Sequence, residues 1–281
     1  MKKLCVILVV TILVFSITCL PGCKKEDATT AKTISTENLE GCMKGITLNV
    51  ATTGTFAPFT YYAENGKDLI GFDLDVISEL SNFLGFEVKD NTISAMNAAT
   101  ITASLAEGKV DVGLAALCAT EERKEVMNFT NTYYDSGLIL SVNKQTTPAE
   151  LQSVEDLLSG EYTVACETGS ASHLYLKRIG VSEDQIKPYN EGPIAFSALE
   201  EGKVDAFIQD EPGVAYYLKT NQNSNLEMRG EAFDKGNAPY AIAISFDACS
   251  RYTNLVDVFN LALAELTSNG TMARLEEKWC K

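Results

Sequence analysis

Between Asp73 and Leu84, apolar side chains recur at Leu74, Ile77, Leu80 and Leu84, the spacing of one helix face, and Gly85 follows as a stop. Helices are also predicted over Ala99 to Glu107, Pro148 to Leu158, Pro193 to Glu201, Asn254 to Leu266 and Thr271 to Lys278, with Gly108, Gly160 and Gly270 as breaks. Short apolar runs with little charge read as buried strands: Ile46 to Ala51, Val110 to Leu117, Tyr162 to Glu167, Val204 to Gln209 and Tyr240 to Phe246. Glu87 to Asp90 and Gln185 to Tyr189 add two shorter strands, and Ser136 to Val142 is extended. Asn65-Gly66 marks a turn, and Phe129 to Tyr134 reads as a loop.

One arrangement occurs twice. Leu105 to Ala116 reads LAEGKVDVGLAA, and Leu199 to Asp210 reads LEEGKVDAFIQD. Upstream of each lies a matched strand end, VATTGT at Val50 to Thr55 and VACETGS at Val164 to Ser170. Two similar α/β units imply two lobes, and two lobes imply a cleft. Residues 43–135 with 238–281 are assigned to the first lobe and 136–237 to the second, with Ser136 to Val142 as the outward crossing and Tyr240 to Phe246 as the return.

Lys2 and Lys3 precede an apolar run from Leu4 to Leu20, then Pro21, Gly22 and Cys23. That order describes a secretory leader over residues 1–22 rather than a membrane span. LPGC resembles a bacterial lipobox, which would make Cys23 the lipidated first residue and hold the protein outside the cytoplasm at the cell membrane. Polar residues dominate from Lys24 to Glu40, so residues 23–42 are expected to form a tether. Loss of Lys2 and Lys3 moves the formal net charge from −15 to −17, which argues against nucleic acid as a partner. Among eight cysteines, Cys42, Cys118, Cys166, Cys249 and Cys280 fall in the folded part, with no zinc-type spacing and no metal or cofactor implied. Export permits a disulfide, and Cys249 with Cys280, flanking the last helices, is the favoured pair, while Cys166 reads as a small core residue.

Thr120 reads as an N-cap with Glu121 and Glu122 in the first helical turn, which puts Arg123 at the carboxyl end of a strand. Ligands bind at that edge of open α/β sheets, and a guanidinium fork suits a carboxylate there; the plainer reading is a solvated helix arginine. Gly169-Ser170 opens a helix whose free N–H groups suit an anion. Asp210 reads either as an N-cap before Glu211 and Pro212 or as an anion facing the cleft. His173, the only histidine, has no partner for base catalysis and reads as a helix surface or packing residue.

The motifs APF (57–59), GFDLD (71–75), TEER (120–123), NFTNTYY (128–134), ETGS (167–170) and NGTMARLEEKW (269–279), with the two EGKVD copies, resemble those of family 3 extracellular solute-binding proteins of polar amino-acid ABC importers. The likeness runs from Ile46 to Trp279. It implies a type II periplasmic-binding-protein fold, two α/β lobes on a two-strand hinge, and a monomer that closes on an amino acid and delivers it to a membrane permease without chemistry. Under the resemblance, Arg123 matches the arginine that holds the ligand carboxylate, with Gly169, Ser170 and Ala116 beside it. Asp210 matches the acid for the ammonium, and Phe56 the stacking aromatic. Cys118 stands where relatives carry Ser, Thr or Gly, and a thiol is a poor donor; Thr53 stands where binders of basic ligands often have an acid, which favours a neutral ligand. Two other readings share the fold: a cyclohexadienyl dehydratase, with Glu167 or Glu211 as general acid, and a ligand-sensing domain without transport.

Overall fold

The computed structural model describes residues 31–237 and 239–280, so the expected leader and the Cys23 lipid site lie outside the described residues. β1 (Lys32–Thr33) pairs in parallel with Tyr252–Thr253, and Ile34 is only 2% exposed. Asn254 Nδ2 donates to the Ile34 carbonyl at 3.2 Å. This corrects the tether expected over residues 23–42: from Lys32 onward the segment is docked, because Ile34 has a core to enter and the two residues before it find a strand.

The first lobe begins with β2 (Thr47–Leu48) and β3 (Val50–Thr52), then an aromatic meander of β4 (Thr55–Phe56), β5 (Thr60–Tyr62) and β6 (Leu69–Ile70). α1 (Phe72–Leu84) buries Phe72, Val76, Ile77, Leu80 and Leu84. It stops at Gly85, whose φ of 83° is left-handed backbone that favours glycine. β7 (Glu87–Val88) pairs with β2, and β8 (Ser94–Ala95) with β3. α2 (Ala98–Ala106) starts at Asn97, whose side chain accepts from the Thr100 N–H; β9 (Val112–Gly113), α3 (Glu121–Lys124) and β10 (Met127–Tyr134) follow.

In the second lobe, β11 (Leu138–Asn143) leads to β12 (Val164–Glu167), α4 (Ala171–Ile179), β13 (Ile186–Tyr189) and α5 (Gly192–Glu200). β14 (Ala206–Asp210), α6 (Glu211–Thr220) and β15 (Leu226–Phe233) complete it. The chain then returns through β16 (Tyr240–Ser245), α7 (Phe246–Arg251), β17 (Tyr252–Thr253), α8 (Leu255–Ser268) and α9 (Thr271–Trp279). Two five-stranded sheets result, ordered β10-β16-β9-β3-β8 and β13-β12-β14-β11-β15. The chain passes between them twice, from β10 to β11 and from β15 to β16. Just past the first passage Leu138 is in register with Asp210; just past the second, Tyr240 bridges Cys118.

Four local expectations are corrected. Residues 129–134 are not a loop but most of β10, an edge strand whose polar residues still serve the sheet: Thr130 Oγ1 accepts from the Ile242 N–H at 3.0 Å. Instead of a helix from Pro148, only Val154–Ser159 is helical, and with 3-10 geometry. The Asp156 carboxylate takes the Gln152 and Ser153 N–H groups at 2.8 Å each, so side-chain bonding displaces an earlier helical start. The run 110–117 is buried throughout, yet only Val112–Gly113 forms a ladder, since Ala116 turns left-handed at φ 49°. None of the five described cysteines is in a disulfide. Asn128 Nδ2 donates to Cys249 Sγ, while Cys280 lies by Tyr134 six residues along β10. An extended strand separates those points by about 20 Å, far beyond the roughly 7 Å Cα limit for a disulfide.

Candidate functional site

The carboxyl ends of both sheets meet at one interior space. On the first lobe, Thr120 Oγ1 caps α3 by accepting from the Arg123 N–H, and this places the arginine inward; it is 4% exposed. Arg123 Nη1 donates to the Cys118 carbonyl at 2.9 Å, and Nη2 donates across the cleft to the Gly169 carbonyl at 3.0 Å. The arginine is thus a buried bridge between the lobes rather than a solvated helix residue.

On the second lobe, Gly169 has φ 73°, and a Cβ there would lie 3.1 Å from Ala99 Cβ, so glycine permits the close approach of the opposite lobe. Ser170 caps α4: its Oγ accepts from the His173 N–H and donates to the Glu167 carbonyl at 2.8 Å. His173 Nδ1 accepts from the Gly169 N–H at 3.0 Å, and burial lowers its pKa, so the neutral ring stiffens the turn. Asp210 occupies the position before α6 but makes no capping bond with its side chain. It faces inward instead, where Cys118 Sγ donates to Oδ1 at 3.6 Å. Burial pushes the Asp210 pKa up to about 7 against the pull of Cys118 and Arg123, and pushes the Cys118 thiol well up, so the thiol keeps its proton. Glu167 is likewise raised to about 7 by burial, against the backbone N–H groups of Ala98 and Gly192.

Among the expected residues, Thr53, Phe56, Ala116, Cys118, Arg123, Ser170 and Asp210 line a single cavity of about 40 Å³. That is room for only a few waters, so the lobes are shut. Gly169 is reached only through its carbonyl, and the Ala116 N–H is committed to the buried Asp73 carboxylate at 2.6 Å, which Tyr133 also holds. Gln209, which is not among the expected residues, and Glu167, expected only as a dehydratase's general acid, also line the cavity. The signal available was a carboxamide next to the acid at the end of a strand. Five buried side-chain polar atoms among the described residues lack a hydrogen-bond partner, and three of them, Thr53 Oγ1, Arg123 Nε and Gln209 Oε1, belong to this lining. Buried polar groups are normally paired, so unmet donors and acceptors concentrated in one cavity mark a site built for a polar guest. No group of three or more His, Cys, Asp or Glu side chains able to hold a metal ion occurs among the described residues.

The profile of bacterial extracellular solute-binding proteins, family 3, matches residues 48–281. The chain belongs to this family. This solute-binding protein is 27% identical over 233 residues to the L-cystine-binding protein TcyJ of Escherichia coli (strain K12), covering 83% of this chain and 82% of TcyJ. An ancestral arginine-binding protein bound to arginine superposes with a TM-score of 0.74 at 33% identity, covering 85% of this chain and 100% of that one. The ancestral amino-acid-binding protein AncCDT-1, a precursor of cyclohexadienyl dehydratase, gives 0.71 at 27% identity, covering 84% and 96%.

Proposed function

We propose that this chain is the extracytoplasmic amino-acid-binding component of an ABC importer, a monomer that closes on a zwitterion and hands it to a membrane permease. The observation that carries this reading is that Arg123, buried, and Asp210, half-buried, line one cavity from opposite lobes. Arg123 takes the ligand α-carboxylate in place of the carbonyl oxygens it now meets, and Asp210 takes the ammonium. Ser170 and Gly169 form the second-lobe side of the carboxylate end, Phe56 presents a ring, and Ala116 and Cys118 form the first-lobe wall. Thr53 Oγ1 supplies a hydroxyl with no internal partner. A few such desolvated bonds reach about −8 kcal/mol, micromolar affinity, after ordering costs. Because the shut cavity is small, the cycle requires opening, entry and closure. Lobe limits of 43–135 with 238–281 and 136–237, and lipid on Cys23 as the membrane anchor, complete the proposal.

A thermal-shift screen of the purified protein against amino acids and analogues tests it. A ligand at 100 times its Kd adds about 2.7 kcal/mol of stability, and a screen in which no amino acid moves the melting temperature overturns the reading.

One observation favours a second reading, a dehydratase acting on a cyclohexadienyl acid: Glu167 is a carboxyl of raised pKa lining the small cavity, as a general acid needs. Mass spectrometry of such a ring acid after incubation with the protein decides between them, since a binder returns it unchanged.

A further inference from the structure

Asp73 sits in the first turn of α1 and is 1% exposed. That turn is pinned to the preceding loop, because the Phe72 and Asp73 N–H groups donate to the Pro58 and Phe59 carbonyls at 3.0 Å each. From this fixed base the carboxylate reaches a point 43 residues along the chain: Oδ2 accepts the Ala116 N–H at 2.6 Å, while Oδ1 accepts the Tyr133 hydroxyl at 2.9 Å. Ala116 has φ 49°, a left-handed backbone that L side chains resist. The sheet holds the chain on either side of it, through the Leu114 N–H on the Ala51 carbonyl and the Ala241 N–H on the Leu117 carbonyl, both at 3.0 Å. Asp73 holds the kink between those two anchors. Ala115, Ala116, Leu117 and Cys118 then form one wall of the ligand cavity, and the Cys118 carbonyl takes Arg123 Nη1 at 2.9 Å.

We propose that Asp73 is a positioning residue for amino-acid capture: it locks the kink at Ala116 and so places the Cys118 carbonyl that aims the Arg123 guanidinium. The inference rests on the zwitterion reading above and extends its machinery to a residue outside the cavity lining. The chain of contacts is short. A carboxylate fixes one N–H, that N–H fixes a left-handed turn, and two residues on the same turn presents the oxygen that orients the fork. A binding group must be held by neighbours that are themselves fixed, and a loosened support costs affinity without removing any ligand contact. The plainer reading is a buried carboxylate that serves folding alone. The two readings differ in what happens to ligand affinity in a protein that is still folded.

Calorimetric titration of the whole protein with the standard amino acids and L-cystine tests the role, at pH 8, where the Asp73 carboxyl, raised to about 7 by burial, is ionised. For whichever of these the parent binds, Asp73→Leu, of similar shape but without an acceptor, is expected to weaken binding roughly 10–100-fold, as for groups that orient a metal's ligands. Asp73→Asn, whose oxygen still takes the Ala116 N–H while its NH₂ donates to the Tyr133 oxygen, is expected to recover most of that loss. Ala116→Gly added to Asp73→Leu is expected to regain about fivefold, since glycine adopts the left-handed kink unaided. Asp75→Asn is the control. Asp75 takes Trp279 Nε1 at 2.7 Å and Lys278 Nζ at 2.6 Å, so its change is expected to lower the melting temperature and leave Kd within about twofold. An Asp73→Leu Kd within twofold of the parent, or a loss that neither Asp73→Asn nor Ala116→Gly reduces, overturns the positioning role and leaves amino-acid capture intact. Should Asp73→Leu not fold, hydrogen exchange on the parent decides: the Ala116 amide is expected to exchange as slowly as the sheet-bonded Leu114 amide, with and without amino acid, and rapid exchange overturns the lock. Binding of no amino acid overturns the parent reading and this role together.

Discussion

Asp111 and Asp205 close the two copies of Glu-Gly-Lys-Val-Asp, and each ties its strand to the start of the neighbouring parallel strand: Asn49 N donates to Asp111 Oδ2 and Thr163 N to Asp205 Oδ2, both at 2.8 Å. The glycines that precede them share a left-handed backbone, with φ 68° at Gly108 and 67° at Gly202. Beyond the aspartates the copies part. In the first lobe the ladder ends at Gly113, the backbone kinks at Ala116, and the chain returns in α3 carrying a guanidinium. In the second lobe the ladder runs on to Asp210 and delivers a carboxylate directly. A repeated scaffold thus holds two cleft edges of opposite charge, and the charge resides in the stretch that is not repeated.

Removing either charge breaks the pairing most severely. Arg123→Ala is expected to weaken ligand binding by 2–5 kcal/mol, on the order of 30-fold to several thousand-fold, and Arg123→Lys recovers only part because the fork is lost; titration calorimetry reads both. Asp210→Asn comes next, with a distinct pH signature. The folded Asp210 pKa of about 7 lies above its ordinary 3.8, so its contribution to stability is complete below about pH 4 and is lost as pH rises through 7. A bound ammonium favours the ionised form, so affinity is expected to rise by up to tenfold per pH unit from 5.5 to 7 and then level off. The Asn variant removes the Asp210 contribution to that slope. Asp111→Asn and Asp205→Asn probe the shared half: each is expected to cost about 1–3 kcal/mol of stability, since a part-buried backbone donor then meets a weaker, uncharged acceptor, with ligand affinity within twofold of the parent. A large affinity loss in either would mean that the repeat reaches into the site. Smallest of all, a thiol reductant is expected to shift the melting temperature by less than about 1 °C, since no two of the five described cysteines are joined in a disulfide.

Local signals carried much of this into the sequence. Gly85 after an apolar helix face, Thr120 before two glutamates and the double EGKVD each act within a few residues, so α1, the capped turn of Arg123 and the two-lobed plan could be read directly. The remainder depends on what the folded neighbours do. Ile34 looks like one apolar residue in a polar stretch until β17 pairs with the two residues before it and its side chain enters the core. β10 looks like a loop because its asparagines and threonines are tolerated at a sheet edge. Asp210 fits an N-cap until Cys118 is found across from it, and the carboxamide of Gln209 beside that acid gains meaning only once both line one cavity.

In the clamp proposed above, the two passages between the sheets would be the pivot, and leverage about it would differ along the cleft. Leu138 pairs with Asp210 and Tyr240 bridges Cys118, so the carboxylate and the thiol each lie beside one passage, where a rotation about the two passages would move them least. Arg123 and Gly169 are held together by no such strand pairing, and theirs is the contact an outward rotation pulls apart. An arriving zwitterion would therefore anchor its amine end on a nearly stationary seat, and its carboxylate would decide whether the jaws come together.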